Sequence, residues 1–118
     1  MAKYLVLIYG DEQKWDARTA EEEQANMEGH EAFRAAAGAS VLGGHELEST
    51  TATTSLRADA TGRLMVIDGP FAETKEVLGG YYVLDASDLD QAISLAGKLP
   101  EVHAGHSGVE IRPIREHG

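Results

Sequence analysis

Two apolar runs flanking a polar nonapeptide constrain the fold of this chain more than any other feature. Leu64-Met65-Val66-Ile67 precedes the nonapeptide, and Val77-Leu78-Gly79-Gly80-Tyr81-Tyr82-Val83-Leu84 follows it. Both runs are short, apolar and bounded by turn residues, the pattern of buried strands. The stretch from Asp68 to Glu76 is then a loop carried on a rigid sheet, the usual place for a binding site. Asp68 falls where the first strand ends. Gly69 admits backbone conformations closed to other residues, and Pro70 fixes φ near about −65°. Phe71 is expected to fold back into the core and pin the loop, leaving Glu73, Lys75 and Glu76 at its mouth. A purely structural reading stands beside this one: a turn whose Asp68 hydrogen-bonds its own backbone.

The first strand, Lys3 to Tyr9, is apolar on both faces. Tyr4, Val6 and Ile8 point one way, and Leu5, Leu7 and Tyr9 the other. A sheet with one face in water would alternate instead. The chain is too short for two helical layers, so a second subunit's sheet is the economical cover. A polar loop, Gly10 to Arg18, holds Trp15. Thr19 and Glu22 then have capping-box spacing, and a helix is predicted to run to about Ala37, with Gly38 as its stop. Gly29 inside it costs about 1 kcal/mol against Ala, which points to close approach by another backbone. A second strand, Val41 to Leu47, is interrupted by Gly43-Gly44. Ala58 to Gly62 reads as a hairpin turn joining the Thr-rich stretch 49–57 to residues 63–68. A second amphipathic helix follows, capped by Ser87 and Asp90 and ended by Pro100. The last strand runs from Val109 to Arg115.

The nonapeptide DGPFAETKE followed by LGGYYVLD resembles the signature of the YCII-related family, in its DGPF-motif branch. The opening KYLVLIYGDE, the segment TATTSLR and the closing VEIRPI match the same pattern in order, so the resemblance covers nearly the whole chain. It implies a single α+β domain over residues 1–118. The subunit would be ferredoxin-like with an added β-hairpin, and would pair into a dimeric α/β barrel, a homodimer.

Composition excludes several classes of function. There is no cysteine, hence no disulfide, thiolate nucleophile or Cys-based zinc site. The formal net charge of −10 repels phosphate backbones, so direct nucleic-acid binding is not expected. No apolar run approaches the roughly 18 residues of a membrane span, and no signal-peptide pattern opens the chain, so a cytoplasmic protein is expected. No nucleophile elbow, phosphate loop or dinucleotide fingerprint is present, and no cofactor is called for.

His30 is the leading candidate for chemistry. It falls on the apolar face of the first long helix, with Met27, Phe33 and Ala37. It reads either as a core or interface histidine satisfied by a hydrogen bond, or as a general acid or base. The family resemblance implies a His in the first helix and an Asp just after the second helix, before a proline. That place is held here by Lys98-Leu99-Pro100, with no Asp, so Asp68 is taken as the substitute partner. Tyr81, Tyr82 and Arg112 are expected to line a ligand cleft for a small molecule. His103 and His106 form an H-x-x-H pair in a loop. A metal there would need a third ligand such as His45, Glu46 or Asp68, and solvated histidines are the default. Three functions fit: a cofactor-independent enzyme using a His/Asp proton-transfer pair, a plain dimeric interaction scaffold, or, as the alternative to catalysis, a non-catalytic ligand-binding or regulatory module. The last follows from resemblance to domains fused to sigma-factor-like transcription proteins.

Overall fold

The computed structural model describes residues 2–72 and 74–117, so Glu73 of the nonapeptide lies outside the described residues. Its centre is β1 (Ala2–Asp11), flanked by β5 (Glu76–Ala86) and β6 (Ser107–Pro113), with β2 (Val41–Glu46) outside β5. The order is β2-β5-β1-β6, and every pairing is antiparallel. The register sets Val6 against Tyr82 and Tyr4 against Leu84. These four side chains therefore share one face, and all are buried. Leu5, Leu7, Tyr9, Tyr81 and Val83 on the opposite face are half-buried.

Two helices cover the buried face. Helix α1 (Glu12–Asp16) is a single short turn, where a polar loop was expected; Asp11 caps it by accepting from the Gln13 amide at 3.0 Å. Helix α2 (Ala20–Ala37) starts at the capping box foreseen from the sequence. Thr19 Oγ1 accepts from the Glu22 amide, Glu22 Oε1 accepts from the Thr19 amide, and both distances are 3.1 Å. Gly38 ends the helix at φ 54°, a region that glycine enters freely. Helix α3 (Leu89–Ala96) is capped by Asp88, which accepts from the Gln91 amide at 2.8 Å, rather than by Ser87 or Asp90. Phe33 and Ala37 of α2, Ala96 of α3 and Leu99 pack on Val6, Ile8, Tyr82 and Leu84 to make the core.

The remaining strands, β3 (Thr54–Ala58) and β4 (Leu64–Asp68), form a separate two-stranded ribbon. The turn between them is built on Asp59, whose carboxylate accepts from the Thr61 and Arg63 amides at 2.8 and 3.0 Å. The molecule is an α+β domain, but not the expected ferredoxin-like subunit closing into a dimeric α/β barrel. Its main sheet is open and uncurled, β2 and β6 remain edges, and the hairpin stays apart from it. Closure would require the sheet to roll until its edge strands pair. Leu64–Ile67 is a strand but not a buried one: every β4 residue is exposed, because among the described residues β4 pairs with β3 alone, in a ribbon separate from the main sheet. Phe71 does not enter the core. It is 57% exposed and lies under the Arg57 guanidinium, 3.9 Å from the ring centroid.

Candidate active site

A cavity of about 490 Å³ opens between α2, the Gly-rich ends of β2 and β5, and the 3-10 turn Pro100–His103. Helix α2 sends Asn26, His30 and Arg34 toward it, spaced four residues apart and so stacked on one side of the helix. Strand β5 supplies Tyr82, and the 3-10 turn supplies Glu101. Gly29 explains how the turn comes so close. A Cβ at this position would lie 2.9 Å from Pro100 Cγ, so only glycine lets the proline ring rest on the helix. The close approach foreseen from the sequence is thus made by a proline side chain. On the other side, a Cβ on Gly44 would lie 2.7 Å from the Tyr82 ring, and one on Gly79 would strike the ring of Trp15. Trp15 is held in place by its indole N–H, which donates to Ser107 Oγ at 2.9 Å.

The side chains form one hydrogen-bonded row. Glu101 Oε2 accepts from Asn26 Nδ2 at 3.0 Å and pairs with His30 Nε2 at 2.9 Å. His30 Nδ1 meets the Tyr82 hydroxyl at 2.7 Å, and Arg34 Nη1 donates to that hydroxyl at 3.1 Å. Burial pushes the Glu101 carboxyl up, but the bonds from His30 and Asn26 outweigh it and leave the group below the usual carboxylate range. Glu101 is therefore an anion at neutral pH. A carboxylate only accepts, so the Nε2 that faces it carries a proton. Neutral His30 is then left with a bare Nδ1, which accepts the Tyr82 proton. Burial pushes the Tyr82 phenol above its usual value, against the pull of Arg34. Glu101 Oε1 is buried and has no hydrogen-bond partner among the described residues.

The model of the YCII-related domain matches residues 2–117. The chain belongs to the YCII-related domain family. It is also similar to an uncharacterised protein of Rhizobium meliloti (strain 1021). The two are 40% identical over 113 residues, covering 94% of this chain and 90% of the relative.

In this YCII-related chain His30, Tyr81 and Tyr82 all line the cavity. Asp68 does not. It ends β4, exposed in the separate ribbon, and both ring nitrogens of His30 are taken by Glu101 and Tyr82. Arg112 lies exposed on β6 opposite Leu5, away from the cavity. His103 Nε2 bonds the Gly97 carbonyl oxygen at 2.9 Å, and His106 Nδ1 bonds Ser107 Oγ at 2.8 Å. Among the described residues no three His, Asp or Glu side chains converge as metal ligands, and no helix is long and apolar enough to cross a membrane. Glu101, Asn26 and Arg34 escaped the reading of the sequence. The acid follows Pro100 directly, where the family pattern directed attention to residues before it.

Proposed function

We propose that this chain is a cofactor-independent enzyme that moves a proton on a small molecule bound in the cavity. His30 is the acid–base group, and Glu101 is the carboxylate that fixes its tautomer and balances its charge. The supporting observation is the row Glu101–His30–Tyr82, held by bonds of 2.9 and 2.7 Å beside a cavity of about 490 Å³. An oriented histidine next to a cavity is the arrangement general acid–base catalysis needs. Glu101 takes the role expected of Asp68.

A simple carbon acid tests the proposal. The probe 5-nitrobenzisoxazole loses one carbon-bound proton to a base, its N–O bond breaks, and a coloured phenolate is released. His30→Gln is expected to lower the rate on this probe by about 10²-fold or more, the range of a general base. A wild-type rate no faster than that of His30→Gln would refute the proposal.

A second reading, a non-catalytic ligand-binding or regulatory module, draws support from the engagement of both His30 nitrogens. It predicts binding without turnover. We further place the chain in the DGPF-motif branch, as one cytoplasmic domain without direct nucleic-acid contact, and infer that it is a homodimer. Leu56, Leu64 and Val66 share one face of the ribbon and are 56%, 68% and 64% exposed, a surface that a second copy would bury. Sedimentation at micromolar concentration should give a dimer; a monodisperse monomer would defeat that inference.

A further inference from the structure

A phenol oxygen has one proton to donate and two lone pairs with which to accept. At Tyr82 the protein fills two of these three positions, with His30 Nδ1 at 2.7 Å and Arg34 Nη1 at 3.1 Å. A guanidinium only donates, so Arg34 takes one lone pair throughout. His30 faces either way. Neutral, with its proton on Nε2 toward Glu101, it accepts the phenol proton at Nδ1, and a lone pair of Tyr82 is left over. Doubly protonated, it donates from Nδ1, and the phenol proton is left over. In both states the open position belongs to Tyr82, which lines the cavity, while both nitrogens of His30 are engaged.

We propose, resting on the proton-transfer reading above, that Tyr82 is the catalytic residue that touches the substrate, and that His30 acts through it. In one direction the substrate gives a proton to the open lone pair of Tyr82 while the Tyr82 proton passes to His30 Nδ1. The substrate keeps the electron pair of the broken bond, and the positive charge gained by His30 faces Glu101. In the other direction the Nδ1 proton passes to Tyr82 while the phenol proton goes to the basic atom of the substrate. No phenolate accumulates, so a phenol that burial makes a weak acid still serves. Arg34 steadies the oxygen while both protons move. The charged groups facing the phenol are Arg34 of α2, Glu46 of β2 and Glu101 of the 3-10 turn; Glu31 and His45 also border the cavity.

The test is NMR on protein carrying ¹³C at tyrosine Cζ and ¹⁵N in the histidine rings. Tyr82→Phe and His30→Gln identify the two signals among four tyrosines and five histidines. Phe retains the ring that packs on Phe33 at 4.8 Å between centroids, so the fold has little reason to change. Neutral His30 should carry its proton on Nε2. The Tyr82 signal should move in step as His30 gains its second proton, since the phenol switches from donor to acceptor at that contact. The remaining tyrosines should not follow. A flat Tyr82 signal, with His30 in the Nε2–H form, overturns the relay and leaves the proton-transfer reading standing. A neutral His30 protonated on Nδ1 overturns both, because Nε2 then has nothing to donate to Glu101. On 5-nitrobenzisoxazole, Tyr82→Phe should lose as much rate as His30→Gln. A Tyr82→Phe variant that keeps the wild-type rate overturns the relay alone.

Discussion

Replacing Glu101 by Gln isolates the charge of the buried carboxylate from its shape. Glu101 Oε2 serves two donors, Asn26 Nδ2 at 3.0 Å and His30 Nε2 at 2.9 Å, from a side chain only 6% exposed. In the variant the amide oxygen takes the place of Oε2 and keeps both donors. The amide nitrogen takes the place of Oε1, which is buried without a partner among the described residues. Hydrogen bonds to a charged group contribute about 1.5–3 kcal/mol each and neutral ones about 0.5–1.5, so two weakened bonds lose about 2 kcal/mol together. A neutral amide is easier to bury than a carboxylate, which returns part of this. The amide N–H groups left without a partner where Oε1 stood cost about 1–3 kcal/mol, so the expected net loss is about 2 kcal/mol or more at pH 7. Glu101→Ala leaves both donors unpaired and should lose about 3 kcal/mol or more.

The pH dependence separates this account from a simple packing effect. The Glu101 carboxyl titrates below its usual range in the folded protein, so the unfolded chain binds its proton more readily. Its contribution is therefore complete above about pH 4.5 and declines as pH falls through the folded-state value. Glutamine has no such proton. Urea unfolding should show the full gap between wild type and Glu101→Gln at neutral pH, narrowing at about pH 3.5. A gap that stays constant or widens below about pH 4.5, where only the Glu101 proton is in play, would refute the claim that His30 and Asn26 hold Glu101 ionised.

Gly29→Ala should fail to deliver the roughly 1 kcal/mol that Ala normally adds to a helix, because its Cβ meets Pro100. A variant stabilised by that amount would show that Pro100 yields freely. Gly79→Ala should displace Trp15, the one tryptophan, with an overpacking cost of about 1–3 kcal/mol. Unchanged Trp fluorescence and melting temperature would contradict it. Thr19→Ala removes one half of the capping box and should cost about 1 kcal/mol in chemical denaturation; no change would mean that the first turn of α2 is held by its packing alone.

What the sequence made legible was local. The cap at Thr19 and the stop at Gly38 depend on neighbours a few residues away, and the structure has both. Burial of Leu64–Ile67 was misread because a run of apolar residues reports what a strand could bury, not whether a layer lies over it. The same limit applied to α3. The helix is amphipathic, yet Leu89 and Ile93 are 48% and 51% exposed while Ala92 and Ala96 are buried. Small residues let the helix sit close to the sheet, and the larger ones remain at its flank.

The site was half legible for a related reason. His30 stood out as a polar residue on an apolar face, but its partner lies 71 residues away in the chain. No spacing rule reaches that far; only the packing of the turn at Pro100 against Gly29 brings the two together. A better signal was present on α2 itself. Asn26, His30 and Arg34 repeat every four residues beside the row that buries Phe33 and Ala37. A polar row next to the buried row of the same helix must find partners, because an unpaired donor at the edge of a core costs about 1–3 kcal/mol. Three donors in line call for an acceptor brought by another element. Glu101 lies next to Pro100, the helix breaker that follows α3, at a turn that packs against Gly29 of α2. The demand of the row, rather than the identity of the histidine alone, is what points to Glu101.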